Sequence, residues 1–173
     1  MSRRRPYWGE ANATIFEIGA AAADAGDDDT VADCLAEFER RSSRFSAPWE
    51  RKLNQYVADS RPQWLDLAIF AAKQLKPQRI GSKSVYVVLL RGADGGDGFS
   101  VYVGQTGLTP EERFANHKAG LKCGRGWVRD FGVRLLPEVY EHLVGISYDD
   151  ALRIEEKLAD LLRLCGIETY GGH

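Results

Sequence analysis

Near residue 81 the spacing of apolar residues changes from a period of about 3.6 to a period of about two, and this break constrains the chain more than any other feature. Upstream, everything reads as helix. An alanine run, Ala20 to Ala23, stops at Gly26 and the acidic cluster Asp27-Asp28-Asp29. Thr30 then caps a segment through about Arg44, with Val31, Cys34, Leu35 and Phe38 at helical spacing. Ser60 as N-cap and Pro62 in the first turn predict a third helix. Its stripe is Trp64, Leu65, Ala68, Ile69, Ala72 and Leu75, and Lys76-Pro77 ends it. Downstream, Ser84 to Leu90 is an apolar, β-branched strand and Phe99 to Val103 is another. The Gly- and Asp-rich stretch Arg91 to Gly98 joins them as a hairpin. Thr109-Pro110-Glu111-Glu112 opens a helix that Gly120 ends. A further helix is predicted over Asp149 to Leu164, with Ala151, Leu152, Ile154, Leu158, Leu161 and Leu162 on its apolar side, and Ile167 to Tyr170 reads as a third short strand. No internal repeat is present. The organisation is therefore a helical accessory region, 1–80, and an α/β domain, 81–173.

Composition sets the class. A chain of 173 residues with 44% hydrophobic and 28% charged residues has the profile of a soluble globular protein of one domain, or of one small domain with a helical appendage. No apolar run reaches the ~18 residues that a membrane helix needs. The basic start, Met1 to Pro6, is followed by Trp8, Glu10 and Asn12 rather than an apolar core, so no export signal is expected. Cys34, Cys123 and Cys165 are widely spaced and form no C-x-x-C pair; reduced thiols, a cytoplasmic setting and no zinc site follow. The net charge of -2 is not that of a general nucleic-acid binder. Between Arg113 and Arg134, however, Arg113, Lys118, Lys122, Arg125, Arg129 and Arg134 face only Asp130, and such a local patch suits a polyanion.

Taken singly, the polar residues of 81–173 are ordinary. Tyr86 and Tyr102 sit on adjacent strands, Gly104 follows a strand, Arg113 and His117 share a helical face four residues apart, and Glu155 lies mid-helix. Their order is specific. Ser84-Val85-Tyr86, then Tyr102-Val103-Gly104-Gln105-Thr106, then Arg113-Phe114-Ala115-Asn116-His117, then Ala151 to Glu155 resembles the GIY-YIG nuclease family over about 82–173. Ser84 replaces the family's first glycine, and the interval from Tyr86 to Tyr102 is long. A flexible hairpin tip absorbs that length at small entropic cost. Arg113 is displaced by one position relative to Gly104, and the family's C-terminal asparagine has no counterpart; His173 is either a supporting group or simply the end of the chain.

The resemblance implies a compact α/β sandwich, a small antiparallel sheet of three strands flanked by helices, preceded by the helical N-terminal region. It implies a divalent-metal-dependent endonuclease acting on nucleic acid, DNA before RNA. Glu155 would bind one Mg²⁺ or Mn²⁺ as a hard oxygen ligand. Arg113 would offset transition-state charge on the phosphate. Tyr86 would be the general base, made usable by positive charge near its phenol. Tyr102 would orient water or phosphate, the two tyrosine roles being interchangeable, and His117 would hydrogen-bond a tyrosine or the phosphate. Gly104 would let the backbone approach the substrate. Lys118, Lys122, Arg125 and Arg129 would contact backbone phosphates, which positions a strand without reading its sequence. Trp127 is either a stacking residue or a core residue. Separately from the resemblance, the N-terminal helices would either provide sequence specificity or bind a protein partner or a second copy of the chain. Two other readings remain: a module of the same fold that holds nucleic acid without cutting it, and a small interaction domain in which these side chains are ordinary.

Overall fold

The structure is a computed structural model, and it describes residues 6–41, 43–96, 98–121 and 126–172. The chain divides into two compact units, Met1–Pro62 and Gln63–His173.

The first unit holds three helices: α1 (Asn12–Ala25), α2 (Asp28–Arg41) and α3 (Ala47–Ser60). Ile15, Cys34, Phe38 and Leu53 form its buried core. Gly26 ends α1 in the left-handed region, at φ 73°, where glycine carries no Cβ penalty. The carboxylate of Asp27, rather than Thr30 itself, caps α2, accepting from the Thr30 N–H at 3.0 Å. Ser60 ends α3 instead of opening the next helix. Glu37 is fully buried but paired with Arg40 and Arg41. Arg41 also donates to the backbone oxygens of Tyr7 and Glu10, so it ties the N-terminal segment to α2.

The second unit begins at Gln63, so the boundary read from periodicity at 80/81 falls inside it. Its elements are α4 (Leu65–Lys73), β1 (Ile80–Arg91), β2 (Phe99–Thr106), α5 (Pro110–Lys118), α6 (Trp127–Phe131), β3 (Gly132–Leu135), α7 (Pro137–Tyr140), β4 (Val144–Ile146), α8 (Tyr148–Leu164) and β5 (Thr169–Gly171). Leu65, Ala68, Ala72 and Leu75, the stripe read from the sequence, join the core of the sheet. The α/β class and the flanking helices agree with the sequence reading. The sheet does not: it is mixed and five-stranded, not antiparallel and three-stranded. Its path is β3-β1-β2-β5, and β4 also pairs with β1. Ile167 to Tyr170 was expected to add an antiparallel third strand; Thr169–Gly171 instead runs parallel to β2. The central strand is β1, which is why Val85 to Leu90 are all buried and read as a continuous apolar run. It pairs along its length with β2 and, on its other edge, with β3 and β4 in turn.

Among the described residues no helix is long and apolar enough to cross a membrane. Cys34 and Cys165 are free, and Cys123 lies outside the described residues.

Candidate active site

The ladder between β1 and β2 fixes the two tyrosines. Tyr86 stands opposite Gly104, and Tyr102 stands opposite Val88. Opposite residues share a face, so the two rings are diagonal neighbours on one side of the sheet, with centroids 6.2 Å apart. Gly104 makes this possible. A Cβ there would lie 2.8 Å from the Tyr86 hydroxyl and 2.8 Å from Tyr102 Cε1. The glycine leaves room for the phenols, a packing role that the reading of a close approach to substrate did not include.

Arg113 and His117 come from α5. Thr109 and Glu112 form a reciprocal capping box at its start, with Pro110 in the first turn, as the sequence predicts. The helix therefore has a fixed origin, and the two residues follow one turn apart on one face. His117 is buried, its Nε2 lies 2.9 Å from the Tyr86 hydroxyl, and its ring meets Tyr102 edge-on at 5.9 Å. Burial and the charge of Arg113 both hold the imidazole below its ordinary pKa, so it is neutral near pH 7.

Glu155 comes from α8. Ser147 caps this helix by accepting from the Asp150 N–H at 3.2 Å. Asp150 then anchors the helix. It takes 2.6 Å to Arg153 and accepts the backbone N–H groups of Gln78 and Arg79 at 2.9 and 2.8 Å. Arg153 first, then these N–H groups, hold its pKa at about 2. The buried stripe of α8 is Ala151, Ile154, Glu155, Leu158, Ala159 and Leu162. Glu155 thus sits where an apolar residue would stand, while Leu152, assigned to the apolar side, is exposed.

These side chains open onto one cleft of about 470 Å³, lined by Tyr86, Tyr102 and Gln105 from the sheet, Arg113 from α5, and Arg153, Glu155 and Glu156 from α8. Burial raises the Tyr86 hydroxyl well above its usual range, with Tyr102 and Glu155 adding to the rise and Arg113 opposing it. Tyr102 is raised by burial and by Glu155. Both phenols therefore feel the Glu155 carboxylate. A hard divalent cation fits such a donor: a carboxylate in a polar cleft, with water and a phosphate completing the shell. Among the described residues no three His, Cys, Asp or Glu side chains converge, and Glu155 and Glu156 are the carboxylates that line the cleft.

The basic residues behave differently from one another. Arg113 lines the cleft. Lys118 donates to the carbonyls of Arg129 and Gly132 at 3.1 and 2.9 Å, which closes off the end of α6. Arg129 grips Asp130 at 2.7 Å, and Arg134 pairs with Glu138. Lys122, Arg125 and His173 lie outside the described residues. Trp127 stacks on Tyr170 at 4.2 Å and packs on the core. Gln105 and Arg153 line the cleft without having been given a role from the sequence. The signal for Arg153 was its spacing of three from Asp150, which pairs the two on one helical face.

The chain matches no protein-family description, no curated protein and no solved structure. Its own geometry therefore carries the functional reading.

Proposed function

We propose that this chain is a divalent-metal-dependent endonuclease of the GIY-YIG type, hydrolysing phosphodiester bonds in nucleic acid, DNA in preference to RNA. One observation carries the reading. A single cleft gathers Tyr86, Tyr102, Arg113 and Glu155 from four elements, with His117 hydrogen-bonded behind Tyr86. Core packing alone does not require a buried phenol, a half-buried phenol, an imidazole, a guanidinium and a buried carboxylate at one place.

The hydrogen bond suggests how a tyrosine acts as base near pH 7. A buried phenol is a poor base through its phenolate, because burial disfavours that charge. Tyr86 need not ionise first. Its hydroxyl donates to Nε2 of neutral His117, in the tautomer protonated at Nδ1. As an attacking water gives a proton to the Tyr86 oxygen, the tyrosine proton passes to His117, and an imidazolium results. Basicity then comes from a neutral imidazole rather than from a phenolate that burial disfavours. Arg113 faces the phosphate and offers planar donors to its oxygens as charge develops. Tyr102 orients the water or the phosphate, and Glu155 holds Mg²⁺ or Mn²⁺. A cation held there supplies Lewis-acid stabilisation of the phosphate and of the leaving oxygen.

The test is cleavage of supercoiled DNA, branched DNA and structured RNA, with and without Mg²⁺ or Mn²⁺, for the wild type, Glu155→Ala and Arg113→Ala. Metal-dependent cutting that both variants lose supports the proposal. Binding without cutting by the wild type would turn the reading into a non-cleaving module on the same fold. Neither binding nor cutting would direct attention to protein partners of the N-terminal helices.

A further inference from the structure

Lys83 stands just outside the cleft, and the ladder between β1 and β2 places it. The register pairs Val85 with Gln105 and Ser84 with Thr106, so the next rung sets Lys83 opposite Gly107. Lys83 is thus a diagonal neighbour of Gln105, roughly 7–8 Å away on the same face of the sheet, and Gln105 lines the cleft. The Lys83 ammonium reaches over the loop between β2 and α5. Its Nζ lies 2.9 Å from the point where a Cβ on Gly107 would stand. The same Nζ lies 5.7 Å from the centre of the Tyr148 ring, in the first turn of α8.

From Tyr148 the helix leads back to the cleft. Tyr148, Leu152 and Glu155 are spaced by four and three residues and so share one helical face. Leu152 and Glu155 line the cleft, and Tyr148 lies about 10 Å from Glu155 along the helix axis. Tyr148 and Leu152 are 55% and 42% exposed, so this face continues the cleft as open surface.

The charge on Lys83 is held but not neutralised. The residue is half-buried, yet among the described residues its ammonium has no ion pair and no hydrogen bond; the Tyr148 ring is what fixes it. An ammonium partly withdrawn from water ordinarily has an anion or acceptors to compensate it. An aromatic ring attracts a cation without cancelling its charge, so the ammonium keeps its pull on an anion. Lys118, Arg129, Arg134 and Arg153 differ, because carbonyls or carboxylates take up their donors.

We propose that Lys83, held by Tyr148, binds a backbone phosphate of the nucleic-acid strand where it leaves the cleft over Leu152. This rests on the nuclease reading and extends its substrate site along α8. The span of about 10 Å from Glu155 to Tyr148 equals about three rises of roughly 3.4 Å in a duplex strand, which puts the contact about three nucleotides from the cut. The contact positions the strand without reading its sequence. It supplies the cation that Lys118 and Arg129, engaged with α6 and Asp130, do not offer.

The test is metal-free binding by the full chain, in chelator, of a labelled DNA duplex and a labelled single strand over a series of salt concentrations. Loss of one phosphate contact makes the dependence of log K on log salt shallower by about 0.9 for the duplex and about 0.7 for the single strand. Lys83→Gln should show that change and bind all sequences less tightly alike, and Lys83→Arg should restore the wild-type slope. Tyr148→Leu keeps the charge and removes the ring, so the slope should stay while affinity falls about two- to five-fold. In the cleavage assay the Lys83→Gln loss should lie in KM rather than kcat. A Lys83→Gln slope equal to that of wild type overturns the proposal, whatever its melting temperature, and so does a Lys83→Arg slope no steeper than that of Lys83→Gln. Wild type that cuts, with an unchanged slope in Lys83→Gln, leaves the nuclease reading standing and this contact overturned. Wild type that binds and cuts nothing, with the shallower slope in Lys83→Gln, keeps the contact and overturns the nuclease reading. Wild type that neither binds nor cuts removes both.

Discussion

His117 is the residue on which the proposed chemistry turns. It must be neutral to accept the Tyr86 proton, and its pKa is lowered from 6.5 by burial and by Arg113. The sign follows: the rate is lost as pH falls through the lowered histidine value and is restored above it. A profile of kcat/KM against pH should therefore rise to a plateau through an inflection below 6.5. His117→Gln should remove that inflection and lower the rate by about 10²–10⁴-fold. A wild-type inflection in the tyrosine range instead would show that Tyr86 works through its own phenolate. Gly104 tests the same site by crowding. In Gly104→Ala the new methyl would lie 2.8 Å from the Tyr86 hydroxyl, so the phenol must move away from His117. Overpacking of this kind costs about 1–3 kcal/mol, and a misplacement of about 1 Å can cost roughly 10²-fold in rate. The expected outcome is a folded variant, modestly less stable by denaturant melt, whose activity falls far more than its stability.

At the scale of elements, α8 depends on Asp150, which fixes the helix start against the segment before β1. The folded pKa of about 2 is below the ordinary 3.8. Stability from this carboxylate is therefore full above 3.8 and is lost as pH falls through about 2. Asp150→Asn should melt at a lower temperature than wild type at pH 7, and the difference should narrow between pH 4 and pH 2. A constant difference across that range would mean that packing, not charge, anchors the helix. The elements also differ in how readily the sequence reveals them. The starts of α5 and α8 and the strands β1 and β2 were legible because caps, glycines and periodicity agree locally. The strands β3, β4 and β5 were not recovered as they stand. They are three or four residues long, and β3 and β5 are half-buried with no alternation, so pairing to β1 or β2 rather than propensity defines them. The parallel sense of β5 is likewise a tertiary fact. In the site, the order Tyr86, Tyr102, Arg113, His117, Glu155 was legible. The engagement of Lys118 and Arg129 with α6 and Asp130 was not, because a run of like charges does not reveal partners that the fold brings in. Glu155 carried a signal that was passed over: it falls in the helical stripe Ala151, Glu155, Leu158, Leu162, where an acid is out of place unless it has work to do.

At the scale of the molecule, the division at Pro62 separates two kinds of stability. The first unit rests on Ile15, Cys34, Phe38 and Leu53, a small core for three helices, while the second buries the whole central strand and the stripes of α4 and α8. The fraction of surface buried on folding rises with domain size, so a unit as short as this one is marginal by itself. Every residue given a role in the cleft lies in the second unit. The helix α4 belongs with them, since Leu65, Ala68 and Ala72 are buried in the sheet core. A chain starting at Gln63 should therefore fold and keep metal-dependent cleavage, whereas one starting at residue 81, the boundary suggested by periodicity alone, loses α4 and exposes that core. Large-to-small changes at single core positions already cost about 2–5 kcal/mol, so removal of a whole packed helix should leave the shorter chain unfolded. Circular dichroism melts of the two chains beside the full protein, followed by the cleavage assay, decide it. A folded but inactive chain from Gln63 would assign part of the active site, or of substrate binding, to α1–α3.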